Sequence, residues 1–269
     1  MKNFRAEIGV FGGSGFYSFF EKAQVVRMST PYGKPSGPIT IAEIFGKKVA
    51  FLPRHGQKHQ FPPHKVPYKA NIYAFKKLGV KAIISPCAAG SLKASIKPGD
   101  FVIIDQFFDR TKGRDETFYH GPETVHIAGA EPYCPTLQEM AIKACKKLKI
   151  KAHKKGNVVV VNGPRFSTKS ESLYFTKFGG EVINMTQYPE VVLAREQEMC
   201  FLGIALITDW DAGLAAKGKV KHVEIGEVIK VFNQNLEKSK KLILEIIKYF
   251  PAKYTCSCQN VLESARVKA

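Results

Sequence analysis

Short apolar runs that alternate with amphipathic segments constrain the fold of this chain more than any other feature. Val, Ile and Phe dominate the runs, and several lack the polar alternation of a half-exposed strand, so they indicate buried strands. The runs cover residues 6–11, 48–53, 81–86, 101–105, 157–161, 181–185 and 203–208. Helical patterns lie between or after them, at 67–78, 138–148, 227–248 and behind a capping-box sequence at 168–171. Strands that alternate with helices predict an α/β fold, a single domain with a central mixed, mostly parallel sheet flanked by helices.

The length of 269 residues and the hydrophobic content of 45% suit one large core. We predict that the domain covers residues 1–250 and that residues 251–269 form a short C-terminal tail. No apolar run reaches the ~18 residues that a membrane-spanning helix needs, so we expect no contact with a membrane. The first residues lack the apolar segment of a signal peptide, and we therefore expect a cytoplasmic protein.

The formal net charge of +18 raises the alternative of a nucleic-acid-binding protein. Such a protein should also carry a helix-turn-helix pattern or basic residues interleaved with aromatic ones, and the sequence contains neither. The lysines are instead spread along the chain, which indicates a solvated basic surface. That surface would attract small anions, and we expect no nucleic-acid partner.

A glycine-rich turn, FGGSG at residues 11–15, directly follows the first apolar run. The dinucleotide fingerprint GxGxxG would need glycine at position 18, which is Ser18, and the GK[ST] of a P-loop is also missing. The turn still offers backbone N–H groups and the Ser14 hydroxyl, which are enough to bind one small oxyanion. A tight turn without a ligand is the alternative.

Two more loops with suitable chemistry follow apolar runs. LPRHG at residues 52–56 places Arg54 and His55 after the second run, and arginine is the preferred side chain for binding oxyanions. SPCAAGSL at residues 85–92 predicts a small-residue turn in which Ala88 would let a ligand approach the backbone. Because ligands collect at the C-terminal ends of parallel strands, the three loops together predict an anion site.

Two later segments add polar groups after apolar runs. EVINMT at residues 181–186 ends in Asn184 and Thr186, and ITDWDAG at residues 207–213 contains Asp209 and Asp211. A carboxyl group in a cleft at a strand end can gain a raised pKa and act as an acid. The alternative is that these aspartates only stabilise a turn or a helix N-terminus.

Taken together, these segments resemble the nucleoside phosphorylase-I family in its trimeric purine branch. The resemblance extends from residue 11 to about residue 248, nearly the whole chain. The shared motifs are GGSG, PYGKPS at 31–36, LPRHG, GSL at 90–92, GDFVIIDQFFDRT at 99–111, NGPRFST at 162–168, INMT-x-x-PE at 183–190 and TDWD at 208–211.

The resemblance implies a reversible phosphorolysis, in which a nucleoside and phosphate give a free base and a pentose 1-phosphate. Phosphate is then the co-substrate, with no further cofactor and no metal, and the family implies a homotrimer or a hexamer built from trimers. By motif match, the phosphate ligands are Ser14, Arg54, His55, the backbone of Ala88 and Thr186. The nucleoside would contact Phe166, Ile183, Met185, Thr208, Asp209, Asp211, Ile225, Val228 and His126, the last of which would come from the neighbouring subunit. Asp209 would be the catalytic acid that protonates the leaving purine.

The nucleoside itself stays open at this point. We expect 5'-methylthioadenosine, cleaved to adenine and 5-methylthioribose 1-phosphate in purine salvage, because Ile225 and Val228 would present apolar groups to the 5' position. Trp210 between the two aspartates, the Ala212–Gly213 pair and Tyr188 depart from the pattern of the family members that cleave this substrate. The alternative is therefore a general purine nucleoside phosphorylase, active on adenosine, inosine or guanosine.

The chain contains six cysteines, of which Cys256 and Cys258 form a C-x-C pair in the tail. A lone C-x-C lacks the second pair that a structural zinc site needs, so we expect no metal. The cysteine usage resembles that of thermophilic family members, which implies a Cys134–Cys200 disulfide and a Cys256–Cys258 disulfide. Six reduced thiols are an equally open alternative, since disulfides are rare in the cytoplasm of mesophiles.

Overall fold

The computed structural model describes residues 4–12, 23–215 and 225–267, without the side chains of Ala215 and of residues 225, 227–230 and 232–234. Eleven strands occur within these ranges: β1 (Ile8–Phe11), β2 (Gln24–Val26), β3 (Ile39–Ile44), β4 (Lys47–Leu52), β5 (Ala82–Ser91), β6 (Phe101–Ile104), β7 (Gln106–Arg110), β8 (Ala152–His153), β9 (Asn157–Val161), β10 (Val182–Asn184) and β11 (Cys200–Trp210). The same ranges contain six α-helices: α1 (Tyr68–Lys77), α2 (Pro135–Lys147), α3 (Lys169–Lys177), α4 (Gln187–Glu196), α5 (Ala212–Ala215) and α6 (Ile225–Tyr249). Pro63–Lys65 and Ser257–Asn260 form short 3₁₀ helices.

All the described strands belong to one sheet. Its main order is β2-β3-β4-β1-β5-β10-β9-β7, and β11 lies against both β5 and β6, with β8 beside β6. Six of the ten described pairings are parallel and four are antiparallel. The α/β fold with a mixed, mostly parallel sheet is thus confirmed.

Helices cover both faces of the sheet because each face carries its own apolar cluster. The first cluster joins β-strand residues to Phe75 of α1 and Leu193 of α4. The second joins the other face to Leu137 of α2 and to Ile243 and Ile246 of α6. Side chains on successive strand residues point to opposite faces, so the non-alternating apolar runs supply both clusters at once.

Every predicted strand run overlaps an observed strand, and each of the four predicted helices is present. The capping box that begins α3 is complete: the Thr168 hydroxyl accepts from the Glu171 N–H, and the Glu171 carboxylate accepts from the Thr168 N–H at 2.7 Å. The sequence did not predict strands β2, β3, β7 and β8 or helices α4 and α5.

One sequence expectation about β5 is wrong. SPCAAGSL was expected to turn after residue 86, but the strand continues to Ser91. The reason is the long strand β11, which pairs in parallel with β5 from Ala82 to Ser91 and supplies hydrogen-bond partners along its whole length. Small residues here therefore belong to a strand that stays close to its neighbours.

The tail packs on the body of the protein. Tyr254 and Cys258 are buried in the second apolar cluster, beside residues of α2 and β11. Val125 and Arg266 form an antiparallel bridge, with the His126 N–H donating to the Ala265 carbonyl at 2.8 Å. A boundary at residue 250 remains a proposal.

The expectation that the C-x-C pair lacks a second pair of cysteines is wrong. Cys134 and Cys200 bring their sulfur atoms next to those of Cys256 and Cys258, so the folded chain supplies the second pair that the spacing along the sequence does not show. All six cysteines are free thiols in the structure.

None of the helices in the described residues is sufficiently long and apolar to span a membrane.

Candidate active site

A cavity opens beside the C-terminal half of β5 and collects most of the predicted site residues. Ten of these residues line it: Arg54, His55, Ala88, Phe166, Ile183, Met185, Thr186, Thr208, Asp209 and Asp211. Ser14 lies outside the described residues, and the side chains of Ile225 and Val228 are likewise not among those described. His126 is exposed and does not line the cavity of its own chain.

The cavity exists because β5 changes partners along one side. β1 pairs with β5 only as far as Ile84, and β10 pairs with it only at Gly90 and Ser91. Within the described residues, no strand pairs with positions 85–89 on that side. Ala88 is exposed in this gap. Backbone groups there can bind a ligand, since each needs a hydrogen-bond partner.

Arg54 follows β4 and is held in place by a buried ion pair. Its Nε and Nη2 atoms donate to the two carboxylate oxygens of Glu190 in α4, which is fully buried. Nη2 also donates to Ser85 Oγ at 2.7 Å, and Nη1 to the Pro86 carbonyl at 3.0 Å. These contacts use four of the five guanidinium N–H groups and leave at most one, on Nη1, for a ligand.

Burial disfavours the charged form of Arg54, but the Glu190 carboxylate more than offsets this, so the pKa of Arg54 is raised. The guanidinium is therefore a fixed positive charge at the cavity wall. Glu190 was not predicted from the sequence as a partner of Arg54. The only hint is a glutamate directly before the apolar segment VVLA, where a charge needs a buried partner.

His55 is held in one orientation. Its Nδ1 lies 2.8 Å from the carbonyl of Phe61, so Nδ1 carries the proton and Nε2 is left as an acceptor in the neutral ring. Burial first, and then the charge of Arg54, lower the pKa of His55 to about 4. His55 is thus neutral at physiological pH and can accept a hydrogen bond from a ligand hydroxyl.

Thr186 supplies a hydroxyl to the same cavity. It is the N-cap residue of α4, is buried, and does not use its side chain to cap its own helix. The hydroxyl therefore remains available to a ligand. Arg54, His55, Thr186 and the open backbone at Ala88 give this part of the cavity the chemistry of an oxyanion site.

Two carboxyl groups lie in another part of the cavity. Burial raises the pKa of Asp209. A 2.6 Å hydrogen bond donated by the Thr208 hydroxyl partly offsets this rise, and the negative charge of the nearby Asp211 adds to it. Burial also raises the pKa of Asp211, against hydrogen bonds led by that from Ser172. Both groups can therefore hold a proton more readily than an exposed aspartate.

Gly90 allows this wall to close tightly. A Cβ at this position would lie 3.1 Å from Asp209 Oδ2 and 3.1 Å from Ile183 Cγ2. The bulge in the pairing of β11 with β5 falls between Ile207 and Asp209 and turns the carboxyl group toward this point.

Apolar side chains complete the lining, with Phe166 45% exposed and Ile183 buried. An unpredicted arginine fixes the backbone around them: Arg114 donates through Nη2 to the carbonyls of Asn162 at 3.0 Å and Met185 at 2.9 Å, and through Nη1 to that of Tyr188. The position of Arg114 in a loop did not indicate these contacts from the sequence.

Two of the departures from the family pattern, Tyr188 and Gly213, have local structural roles. The Tyr188 ring packs on Phe107, 5.4 Å between centroids, and its hydroxyl donates to Glu116, so this residue does not line the cavity. Gly213 donates its N–H to Ser172 Oγ at 2.9 Å, and a Cβ there would lie 2.6 Å from that oxygen. Glycine at 213 therefore lets α5 pack closely on α3.

Comparison with known proteins agrees with this arrangement. The sequence model described as "Phosphorylase superfamily" matches residues 7–248. The chain belongs to the phosphorylase superfamily. Among relatives in the superfamily, the chain is 48% identical over 265 residues to an S-methyl-5'-thioadenosine phosphorylase of Thermofilum pendens, covering 98% of this chain and 99% of the relative. A relative of the same name from Mycolicibacterium smegmatis is 46% identical, covering 93% of each chain.

Solved structures of the superfamily share the fold. A methylthioadenosine phosphorylase from an antarctic soil metagenomic library superposes with a TM-score of 0.92 at 36% identity, covering 98% of this chain and 93% of that one. The methylthioadenosine phosphorylase from Schistosoma mansoni, in complex with adenine, gives a TM-score of 0.91 at 33% identity, covering 97% and 99%.

Proposed function

We propose that this protein is a pentosyltransferase that cleaves 5'-methylthioadenosine with phosphate, giving adenine and 5-methylthioribose 1-phosphate. The observation that carries the proposal is the composition of the cavity beside β5. It joins an oxyanion site around Arg54 and Thr186 to two carboxyl groups with raised pKa, the half-buried Asp209 and the buried Asp211. The names of the relatives supply the nucleoside.

Phosphate would bind to the side-chain and backbone donors of the oxyanion site. Arg54 provides its remaining Nη1 N–H and its positive charge, Thr186 its hydroxyl, and the β5 gap its backbone at Ala88. The neutral His55 would accept a hydrogen bond from a phosphate hydroxyl. Ser14 completes the set in the family pattern. A phosphate held below C1' stabilises the positive charge that develops on the ribose and then attacks it.

The base would lie at the carboxyl end, between Phe166 and Ile183. A purine leaves readily only when N7 is protonated, and a buried carboxylic acid can donate that proton. Asp209 is assigned this role: the Thr208 hydroxyl donates to its Oδ1 at 2.6 Å, and Asp209 and Asp211 would hold the base edge. Because a carboxyl group accepts from a 6-amino group, the arrangement favours adenine over 6-oxopurines.

By the family pattern, the 5' end of the nucleoside would lie near the start of α6, where Ile225 and Val228 would supply apolar contacts. His126 would approach from a neighbouring subunit of a homotrimer, or of a hexamer built from trimers. Its exposure, outside the cavity of its own chain, supports this assignment. We also propose that the enzyme works in the cytoplasm.

A second candidate is a broader purine nucleoside phosphorylase. It is favoured by the Ala212–Gly213 pair and by a structural neighbour, an adenosine/methylthioadenosine phosphorylase variant from Schistosoma mansoni, with a TM-score of 0.90 at 33% identity over 98% of this chain. The sugar 5' hydroxyl of adenosine would need a polar partner there, and His126 could provide it.

A substrate panel tests both candidates. Methylthioadenosine, adenosine, inosine and guanosine are incubated with and without phosphate, and the liberated base is measured. We expect phosphate-dependent release, with kcat/KM at least about tenfold higher for methylthioadenosine than for adenosine, as a difference of ~1.4 kcal/mol provides. Equal efficiency on adenosine would favour the second candidate, and base release without phosphate would contradict both.

A further inference from the structure

Four cysteines from three separate parts of the chain meet where the tail joins the body. Cys134 is the N-cap residue of α2, Cys200 begins β11, and Cys256 and Cys258 lie at the start of the 3₁₀ helix in the tail. Their four sulfur atoms all lie within 4.8 Å of one another, with 3.7 Å between those of Cys134 and Cys256. Cys134, Cys200 and Cys258 are buried and Cys256 is half-buried.

We propose that these four cysteines form a structural metal site for one thiophilic divalent cation of tetrahedral preference, with Zn²⁺ as the reference ion. Four points no farther apart than 4.8 Å fit within a sphere of about 2.9 Å radius, so one point lies that close to every sulfur. A zinc–thiolate bond is about 2.3 Å long, and the sulfurs of a tetrahedral site are therefore about 3.8 Å apart. The observed spacing needs an inward shift of only about half an ångström.

The surroundings suit thiolate ligands. The Tyr254 hydroxyl lies 3.6 Å from Cys134 Sγ, and Thr136 Oγ1 lies 3.9 Å from Cys256 Sγ, so both can donate hydrogen bonds to ligating sulfurs. The N-terminus of α2 places its positive dipole end at Cys134. On binding, the four thiols release four protons and the complex carries a net charge of −2. With four protein ligands the site has no open position, as in structural zinc sites.

A metal site explains why the four cysteines meet better than the two disulfides that the family resemblance implies. A Cys134–Cys200 bond would join two elements of the body, and a Cys256–Cys258 bond would join two residues of the tail, so neither would hold the tail to the body. One cation bound by all four sulfurs fastens the tail to both α2 and β11. The site is separate from the cavity, because none of the four cysteines lines it.

The test uses the full chain, purified with a reductant, incubated with Zn²⁺ and freed of excess metal. Elemental analysis should give about one zinc per chain. Cys256→Ser should lose most of this zinc, whereas Cys145→Ala, a change to a buried cysteine outside the cluster, should retain it. Replacement of zinc by Co²⁺ in the unmodified chain should give the visible absorption of tetrahedral cobalt–thiolate, so the proposal stays testable if Cys256→Ser does not fold.

A thiol count separates the metal site from disulfides. Protein purified without reductant and unfolded in denaturant with a chelator should show all six thiols. Four or two thiols would mean one or two disulfides and would overturn the proposal. Absence of bound zinc after reconstitution, or full zinc retention in Cys256→Ser, would also overturn it. None of these readouts depends on the substrate of the enzyme.

Discussion

Arg54 and Glu190, 136 positions apart in the sequence, form a two-point ion pair. Their side chains are 8% and 0% exposed. The carboxylate orients the guanidinium so that one Nη1 N–H remains for the cavity, and thereby couples the stability of the fold to the geometry of the anion site. A buried ion pair adds less to stability than the removal of one partner costs, because the remaining charge is then buried without a partner.

The pair predicts different results for its two partners. Glu190→Ala leaves the Arg54 charge buried without a partner and should lower the free energy of unfolding by about 3–5 kcal/mol. Arg54→Ala should also raise the phosphate KM by about 10- to 150-fold, since a charge-assisted hydrogen bond contributes about 1.5–3 kcal/mol. Denaturant unfolding and steady-state kinetics measure the two effects. In the double variant the stability losses should be far from additive, and additive losses would contradict the coupling.

Asp209 sets the choice of base. Asp209→Asn removes the proton that the leaving purine needs while keeping the size of the side chain, so adenine-nucleoside turnover should fall more than tenfold. The gap between adenine nucleosides and inosine should narrow, because an amide can donate to a 6-oxo group. Kinetics on methylthioadenosine and inosine give the comparison. A wild-type preference for guanosine would show that the role assigned to Asp209 is wrong.

His55 makes the stability depend on pH. Its pKa is lowered from 6.5 to about 4 in the folded state, so between these values the unfolded chain binds more protons. The contribution of His55 is present above pH 6.5 and is lost as the pH falls toward 4, by at most about 3 kcal/mol. Denaturant unfolding of the wild type and of His55→Gln at several pH values measures it. The difference between the two proteins should change across this window, and a constant difference would contradict the neutral state of His55.

Gly90 predicts a substitution that affects activity more than folding. In Gly90→Ala the new methyl group would crowd Asp209 Oδ2 and Ile183 Cγ2, each 3.1 Å away, and displace the acid. We expect kcat/KM to fall at least about tenfold, as a misplacement of the acid that costs ~1.4 kcal/mol would produce. Gly129→Ala is the matched control, because a Cβ there meets nothing within 4 Å. Wild-type kinetics in Gly90→Ala would show that this close approach is unimportant.

The sequence predicted the elements with a strong local signal. The apolar runs and the capping box at Thr168 predicted strands and helices of the core, and the C-terminal parts of the strands with the loops after them bring ten of the predicted residues to one cavity. Pairing between segments that are distant in the sequence could not be predicted from local patterns. SPCAAGSL has the composition of a turn, and only pairing with β11 makes it a strand. Helix α4 was missed because it begins within a motif and contains Pro189 near its start, next to a residue with extended backbone angles.

The same limit applies to side chains that meet only in the folded chain. Arg54 was singled out for a ligand, whereas most of its donors serve Glu190 and the β5 backbone. The cysteines seemed to lack a second pair because spacing along the chain does not report that a helix N-terminus, a strand start and a tail converge.

The bridge between Val125 and Arg266 has a consequence for the order in which the protein is completed. The backbone on either side of His126 is held by the last described residues, through the Ala265 carbonyl and the Val267 N–H. During synthesis the core strands leave the ribosome long before these residues, since domains begin to fold from the N-terminal side. The segment that carries His126 can therefore reach its final form only after residues 265–267 have been synthesised and have left the ribosome. A product of premature termination would keep the strands of the cavity and lack the support for this segment.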